Sequence, residues 1–181
     1  MRVFVGLPLP DAASEALEAL QSDLRAGRHV PPENLHLTLA FLGEVTLPDL
    51  EALHLELQQV SWSPFELRLS GLELFGGPHP RALVIEARGG KPLRHLRDKI
   101  RSAARGIGLD LPRTRFRPHV TLARFPRDMS TQDATSLGRF LAAHGDAALP
   151  AMSVAGFALY RSHLARDGAR YEVLADYPAT A

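Results

Sequence analysis

The sequence predicts an α+β fold: a bilobal, duplicated unit with two antiparallel-rich sheets, helices on their outer faces and an active-site crevice between the lobes. Three observations carry this expectation. Stretches of period-two and period-3.6 hydrophobicity alternate along the chain. The order strand, helix, strand, helix, strand pair occurs twice. A His-x-Thr-Leu tetrad stands at the same place in each round, beginning at His36 and at His119, 83 residues apart.

The first round opens with residues 2–8, which alternate and are rich in β-branched and aromatic types, a strand signal. Asp11 is placed to cap a helix that carries Leu17, Leu20 and Leu24 on one face. Residues 35–41 form the strand with the first tetrad. Thr46-Leu-Pro-Asp has capping-box-like spacing, with proline near the start of a helix bearing Leu50, Leu53 and Leu57. Residues 65–69 alternate as a strand, and 72–75 continue after Gly71.

The second round repeats that order. Residues 82–87 are a strand bounded by Gly89-Gly90. The following helix carries Leu93, Leu96, Ile100, Ala103, Ala104 and Ile107 at i, i+3, i+4 spacing and stops near Gly106 and Gly108. Residues 116–124 hold the second tetrad. A shorter helix over 131–143 uses Leu137, Phe140 and Leu141, and strands at 151–161 and 170–176 close the chain around a turn near Asp167-Gly168. No Pro-, Gly- or Ser-rich linker divides the rounds. The expectation is therefore one domain, 1–181, containing approximate repeats 1–78 and 79–181.

Composition narrows the function. Of 181 residues, 45% are hydrophobic and 23% charged, the balance of a globular protein rather than a disordered chain. The absence of cysteine excludes disulfides, thiolate metal sites and a cysteine nucleophile. No apolar run approaches the roughly 18 residues that cross a bilayer, and the N-terminus suits a strand better than a secretory signal. A cytoplasmic protein acting as a monomer, without membrane or obligate protein partner, is expected. The net charge of +1 hides an uneven distribution: Arg113, Arg115, Arg117, Arg124 and Arg127 fall in a stretch free of Asp and Glu, which suits a phosphate-binding surface or a chain whose basic residues, Lys91 and Lys99 apart, are all arginine.

The tetrads carry the chemistry. Random placement of this chain's residues gives roughly 0.05 such tetrads, and there are two. On a strand, His36 and Thr38 project to one face while Leu35, Leu37, Leu39 and Phe41 project to the other; His119 and Thr121 oppose Val120 and Leu122 in the same way. By that parity Phe41 belongs with the core and Arg124 points away from His119, unless the strand ends or bulges after Ala123. Twofold packing of the rounds would gather both His/Thr pairs at one crevice. Two imidazoles with two hydroxyls suit anion recognition better than a metal, since no His-Glu-x-x-His, no His-x-His and no carboxylate occurs in either tetrad. A nucleophile elbow, a P-loop and a dinucleotide fingerprint are all missing, and Gly89-Gly90-Lys91 suits a helix start better than a phosphate loop. The other six histidines are expected to be surface or hydrogen-bond-satisfied residues.

These residues resemble the two-histidine (2H) phosphoesterases, and within them the RNA 2′,3′-cyclic phosphodiesterases, also called RNA 2′-5′ ligases. The resemblance covers nearly the whole chain: the opening strand, Pro32-Glu-Asn-Leu-His-Leu-Thr-Leu-Ala-Phe-Leu-Gly-Glu-Val, Arg115-Phe-Arg-Pro-His-Val-Thr-Leu-Ala-Arg, Leu159-Tyr-Arg-Ser-His-Leu and Gly168-Ala-Arg-Tyr. It implies a bilobal α+β fold, no metal and no cofactor. It also implies opening of a 2′,3′-cyclic phosphate at an RNA end to a 2′-phosphomonoester, with a weak ATP-independent 2′-5′ ligation. The family often carries an aromatic residue shortly before the first block, where this chain has Arg28-His29-Val30.

Elementary chemistry assigns roles beside that resemblance. Opening the ring needs a base for the attacking water and an acid for the departing ribose oxygen on opposite sides of phosphorus, which two imidazoles supply near neutral pH. His36 is taken as the proton donor to the 3′-oxygen and His119 as the proton acceptor, although the twofold makes the roles interchangeable on sequence grounds. Thr38 and Thr121 donate to non-bridging oxygens. Arg124, chiefly because the family has it, and Arg117 add positive charge, and Phe41 is a candidate to stack on a base. The alternatives are a non-catalytic RNA-end binding protein and a 2H phosphodiesterase of small cyclic nucleotides.

Overall fold

The structure is a computed structural model that describes residues 1–180. In chain order the elements are β1 (Arg2–Pro8), α1 (Asp11–Ser22), β2 (Arg28–His29), a 3-10 turn (Pro32–Asn34), β3 (His36–Glu44), α2 (Leu47–Gln58), β4 (Phe65–Phe75), β5 (Ala82–Arg88), α3 (Gly90–Gly106), β6 (His119–Arg124), α4 (Thr131–His144), β7 (Met152–Val154), β8 (Gly156–Ala165) and β9 (Gly168–Pro178).

Helix starts follow local chemistry. The Thr46 hydroxyl accepts from the Asp49 amide at 3.3 Å and caps α2 as expected; Ser130 does the same for α4 with the Asp133 amide at 3.0 Å. The start of α1 departs from expectation. Pro10 occupies the cap position and Asp11 is the first helical residue, where its carboxylate still meets the positive end of the helix dipole. Gly89 precedes α3 because a Cβ there would come within 2.7 Å of Leu93 Cβ. Leu17, Leu53, Leu57, Leu93, Leu96 and Ile100 of the helices share one core with Leu37, Leu39, Val120 and Leu122 of the central strands. Each such side chain stabilises the fold by about 1.5–3 kcal/mol on burial.

All strand pairs are antiparallel, in the order β7-β4-β5-β6-β3-β1-β8-β9, with β2 added against β6. The two antiparallel halves meet through one residue pair, Leu37 with Val120. Moving outward from that pair, β3 lies on β1 and β6 on β5. The next strand on each side comes from the other round: β4 pairs with β5, and β8 pairs with β1. Each half of the sheet is thus built from both halves of the sequence. The chain needs no linker between rounds because their strands are exchanged.

One irregularity is repeated. In the β1–β3 ladder, Gly6 pairs with Thr38 and Val5 with Ala40, leaving Leu39 as an extra residue. In the β5–β6 ladder, Val84 pairs with Thr121 and Leu83 with Ala123, leaving Leu122 as the extra residue. Such bulges shift the alternation by one residue. Leu39 and Ala40 are consequently both buried, as are Leu122 and Ala123. The Leu122 carbonyl, left outside the ladder, accepts from the buried Gln21 side chain at 2.7 Å and from the Val30 amide at 2.9 Å. Strict parity therefore fails beyond both tetrads. Phe41 is 68% exposed instead of packing in the core, and Arg124 turns to the same face as His119.

Candidate active site

The pairing of Leu37 with Val120 fixes the arrangement of the two tetrads. Both side chains are fully buried, so their neighbours project from the opposite face of the sheet. In this register His36 lies across from Thr121, and Thr38 across from His119. The imidazoles occupy diagonal positions, within roughly 8 Å at Cβ in such a pair. All four side chains line one crevice of about 620 Å³, together with Phe41, Arg124, Arg28, Arg81 and Tyr171.

Each imidazole is oriented by the backbone two residues before it. His36 Nδ1 donates to the Asn34 carbonyl at 2.7 Å, and His119 Nδ1 donates to the Arg117 carbonyl at 2.6 Å. The tautomer follows from these acceptors: both rings keep Nε2 as the group that gains or loses a proton. The Thr38 hydroxyl donates to His36 Nε2 at 2.9 Å. Around His36 stand Phe4 (4.7 Å between centroids), Tyr171 (5.1 Å, edge-on) and Tyr160 (5.9 Å). Gly6 leaves room for the ring, since a Cβ there would lie 3.3 Å from His36 Cδ2 and 3.0 Å from the Leu37 carbonyl oxygen. His119 rests edge-on against Phe75 at 4.6 Å.

Burial dominates the electrostatics. Desolvation brings the His36 pKa down to about 4, opposed by the bond to the Asn34 carbonyl and assisted by the charges of Arg124 and His119. Burial also lowers the His119 pKa, with Arg117 and Arg124 adding to the effect and the Arg117 carbonyl and Glu73 opposing it. Both rings are neutral at pH 7 in the free protein, and an anion in the crevice raises both. The folded pKa of His36 lies below the ordinary value of 6.5, so the unfolded chain binds the proton first as pH falls. His36 stabilisation is complete above pH 6.5 and is lost between 6.5 and 4, by up to about 3 kcal/mol. Urea unfolding at pH 7 and pH 4.5 is expected to show a smaller loss for His36→Asn than for the parent chain; equal losses would contradict this account.

The cationic groups divide. The Arg124 side chain reaches the crevice through the β6 bulge, and it occupies in β6 the place that Phe41 holds in β3. Arg117 does not line the crevice. Its guanidinium is paired with Glu73 and lies 4.3 Å over the Phe75 ring, so it acts on His119 through its backbone carbonyl and its nearby charge and not from within the crevice. Sequence reasoning missed several lining residues. Arg28 is held by a bond from Nη1 to the Asp167 carbonyl at 3.2 Å, which ties the crevice edge to the last hairpin. Asn34 Nδ2 donates to the Ala169 carbonyl at 2.7 Å, making the same connection. Their signals were the Arg28-His29 dipeptide and the Gly168–Tyr171 block, but no local rule joins segments so distant in sequence. His29 lines the same edge and is satisfied by the Leu24 carbonyl at 2.8 Å.

A family model described as the 2′-5′ RNA ligase superfamily matches residues 8–164. The chain belongs to this superfamily. Among its relatives is the RNA 2′,3′-cyclic phosphodiesterase of Thermus thermophilus, 35% identical over 189 residues, covering 96% of this chain and 88% of the relative. The enzyme of the same name from Escherichia coli is 31% identical, covering 99% and 97%. Solved structures agree in fold: E. coli LigT in apo form has a TM-score of 0.76 at 28% identity, covering 99% of this chain and 98% of that one. TT0787 of T. thermophilus has a TM-score of 0.78 at 30% identity, covering 98% and 97%. E. coli LigT has also been solved in complex with 3′-AMP. The superfamily's α+β fold with a curled antiparallel sheet is thus the fold of this chain. Among the described residues no helix is long and apolar enough to cross a membrane.

Proposed function

We propose that the protein opens 2′,3′-cyclic phosphates at RNA ends to 2′-phosphomonoesters, using His36 and His119 as an acid–base pair without a metal, as a cytoplasmic monomer. The observation that carries this reading is the Leu37–Val120 register, which sets two imidazoles and two hydroxyls in reciprocal pairs around one crevice. Superfamily relatives named RNA 2′,3′-cyclic phosphodiesterase support the substrate. The donor set supports the metal-free part: imidazoles, hydroxyls and the Arg124 guanidinium line the crevice, groups that suit an anion directly.

The cyclic phosphate anion sits between the imidazoles, and its charge raises both depressed pKa values. Water attacks phosphorus in line with the 3′-oxygen. Its proton passes to His119 Nε2 as the new P–O bond forms. The P–O3′ bond breaks as His36 Nε2–H delivers its proton to that oxygen, leaving a 2′-phosphate and a free 3′-hydroxyl. The Nδ1 bonds to the Asn34 and Arg117 carbonyls keep each ring in the tautomer this exchange needs. Thr38, Thr121 and Arg124 face the oxygens on which charge accumulates. Phe41, exposed at the crevice edge, offers a ring to the terminal base. A 5′-hydroxyl in place of water gives a 2′-5′ linkage by the same movements.

The test is incubation with a nucleoside 2′,3′-cyclic phosphate in excess EDTA, followed by identification of the product. A 2′-phosphate is expected. A 3′-phosphate would reverse the choice of leaving group, and no turnover together with tight RNA retention would favour an RNA-end binding protein.

A further inference from the structure

The arginines singled out in the sequence do not all serve the crevice. Arg113 and Arg115 lie on the segment after α3, where they meet Arg97, Arg101 and Arg105 of that helix around a cleft of about 550 Å³. Asp98 is the only carboxylate lining this cleft. The arrangement is built rather than incidental. Arg101 is only 7% exposed, and its Nη2 donates to the Pro112 carbonyl at 2.7 Å. Arg97 lies 4.5 Å over the Phe116 ring, and its buried Nε has no hydrogen-bond partner among the described residues. Burial and neighbouring guanidinium charge lower the pKa of both Arg97 and Arg101. Five like charges so gathered repel one another, and an anion relieves that repulsion.

The cleft and the active site have a neighbour in common. A third cavity shares Phe75 with the catalytic crevice and Arg115 with the arginine cleft, and its lining includes the Arg117 guanidinium stacked on Phe75. This third cavity therefore borders both of the others, and Glu73 and Glu86 also line it. Two aromatic–guanidinium stacks lie along it, Arg117 on Phe75 and Arg97 on Phe116. Alternating phosphate donors and flat rings suit a nucleotide chain, whose charges and bases alternate.

We infer that the cleft formed by Arg97, Arg101, Arg105, Arg113 and Arg115 holds backbone phosphates of the RNA upstream of the reacting end, so that the protein engages a polynucleotide and not only its terminal cyclic nucleotide. The inference rests on the RNA-end reading for the direction of the chain, while the affinity it predicts is measurable without turnover.

The experiment compares the parent protein with the triple variant Arg105→Gln, Arg113→Gln, Arg115→Gln. These exposed side chains lie outside the catalytic crevice, and the change leaves the half-buried Arg97 and the buried Arg101 in place. The substrates are a 12-nucleotide RNA ending in a 2′,3′-cyclic phosphate and the corresponding mononucleotide. The variant is expected to raise KM for the 12-mer by about tenfold or more and to reduce the slope of log affinity against log salt by about 2, at roughly 0.7 per lost contact. Both kcat and KM for the mononucleotide should be unchanged. An unchanged KM for the 12-mer, or an equal loss on both substrates, overturns the inference. Fluorescence anisotropy of a labelled 12-mer separates the two readings. If neither protein turns over substrate, the functional proposal fails, yet weaker 12-mer binding by the variant still upholds the cleft, and equal binding overturns it. Inorganic phosphate supplies the last arm: a cleft that takes free phosphate while the variant keeps full 12-mer affinity is a small-anion site, which also overturns the inference.

Discussion

His119→Ala is expected to lower kcat on a 2′,3′-cyclic phosphate by about 10²–10⁴-fold, and His36→Ala by a similar factor, the range for loss of a positioned acid or base. The double variant should cost little more than either single one, because the two imidazoles act in one proton-transfer event. A substrate with sulfur in place of the 3′-oxygen separates their roles, since a thiolate departs without protonation. On that substrate His36→Ala should recover most of the lost rate and His119→Ala none. The opposite pattern exchanges acid and base. The pH dependence follows from the lowered values. A protonated His36 is needed, so kcat/KM, which reports the free protein, falls as pH rises through the depressed imidazole range. In kcat the same limb lies at higher pH, because the bound phosphate anion favours the protonated ring. Coincident limbs in kcat and kcat/KM would show that the substrate does not sit between the imidazoles.

Thr38→Val and Thr121→Val should each lower kcat by about 10²–10³-fold with a much smaller change in KM. The register explains the size. Each hydroxyl lies across from the histidine of the other tetrad, so each reaches the phosphoryl oxygens from the side opposite its own partner. Charge on those oxygens grows in the transition state, where a fixed donor counts most. Valine keeps the shape and the half-buried packing, so the melting temperature should stay within a few degrees of the parent's. Thr38→Val removes a second interaction, the bond to His36 Nε2 at 2.9 Å. Its loss frees the ring, so the limb on which the rate falls with rising pH should move in Thr38→Val but not in Thr121→Val. A large fall in stability, or a KM effect that accounts for the whole loss, would assign these residues to structure or to ground-state binding.

The residues that local patterns could reveal were revealed. Period-two runs placed the tetrads on strands, Thr46 marked its cap, and the repeated order set His36 and His119 at equivalent positions of an α+β fold. These features depend on neighbours a few residues away, so the sequence carries them directly. The setting of Arg117 was hidden for the opposite reason: its neighbourhood in sequence is basic, but Glu73, on another strand, pairs with its guanidinium outside the crevice lining.

Sequence by itself determined the four helices, the main strands and which side chains of each tetrad share a face, but not β2, the unbroken run of β4 or the division of 151–161 into β7 and β8. The tertiary structure alone decided that β4 and β8 change places between the rounds, and that Leu39 and Leu122 bulge out of their ladders. A bulge is a mismatch between two strands, and its loose carbonyl at Leu122 is held by Gln21, 101 residues away. No window of one strand contains that information. Phe41 and Arg124 reach the crevice only because paired backbones, distant in the chain, are out of step by one residue.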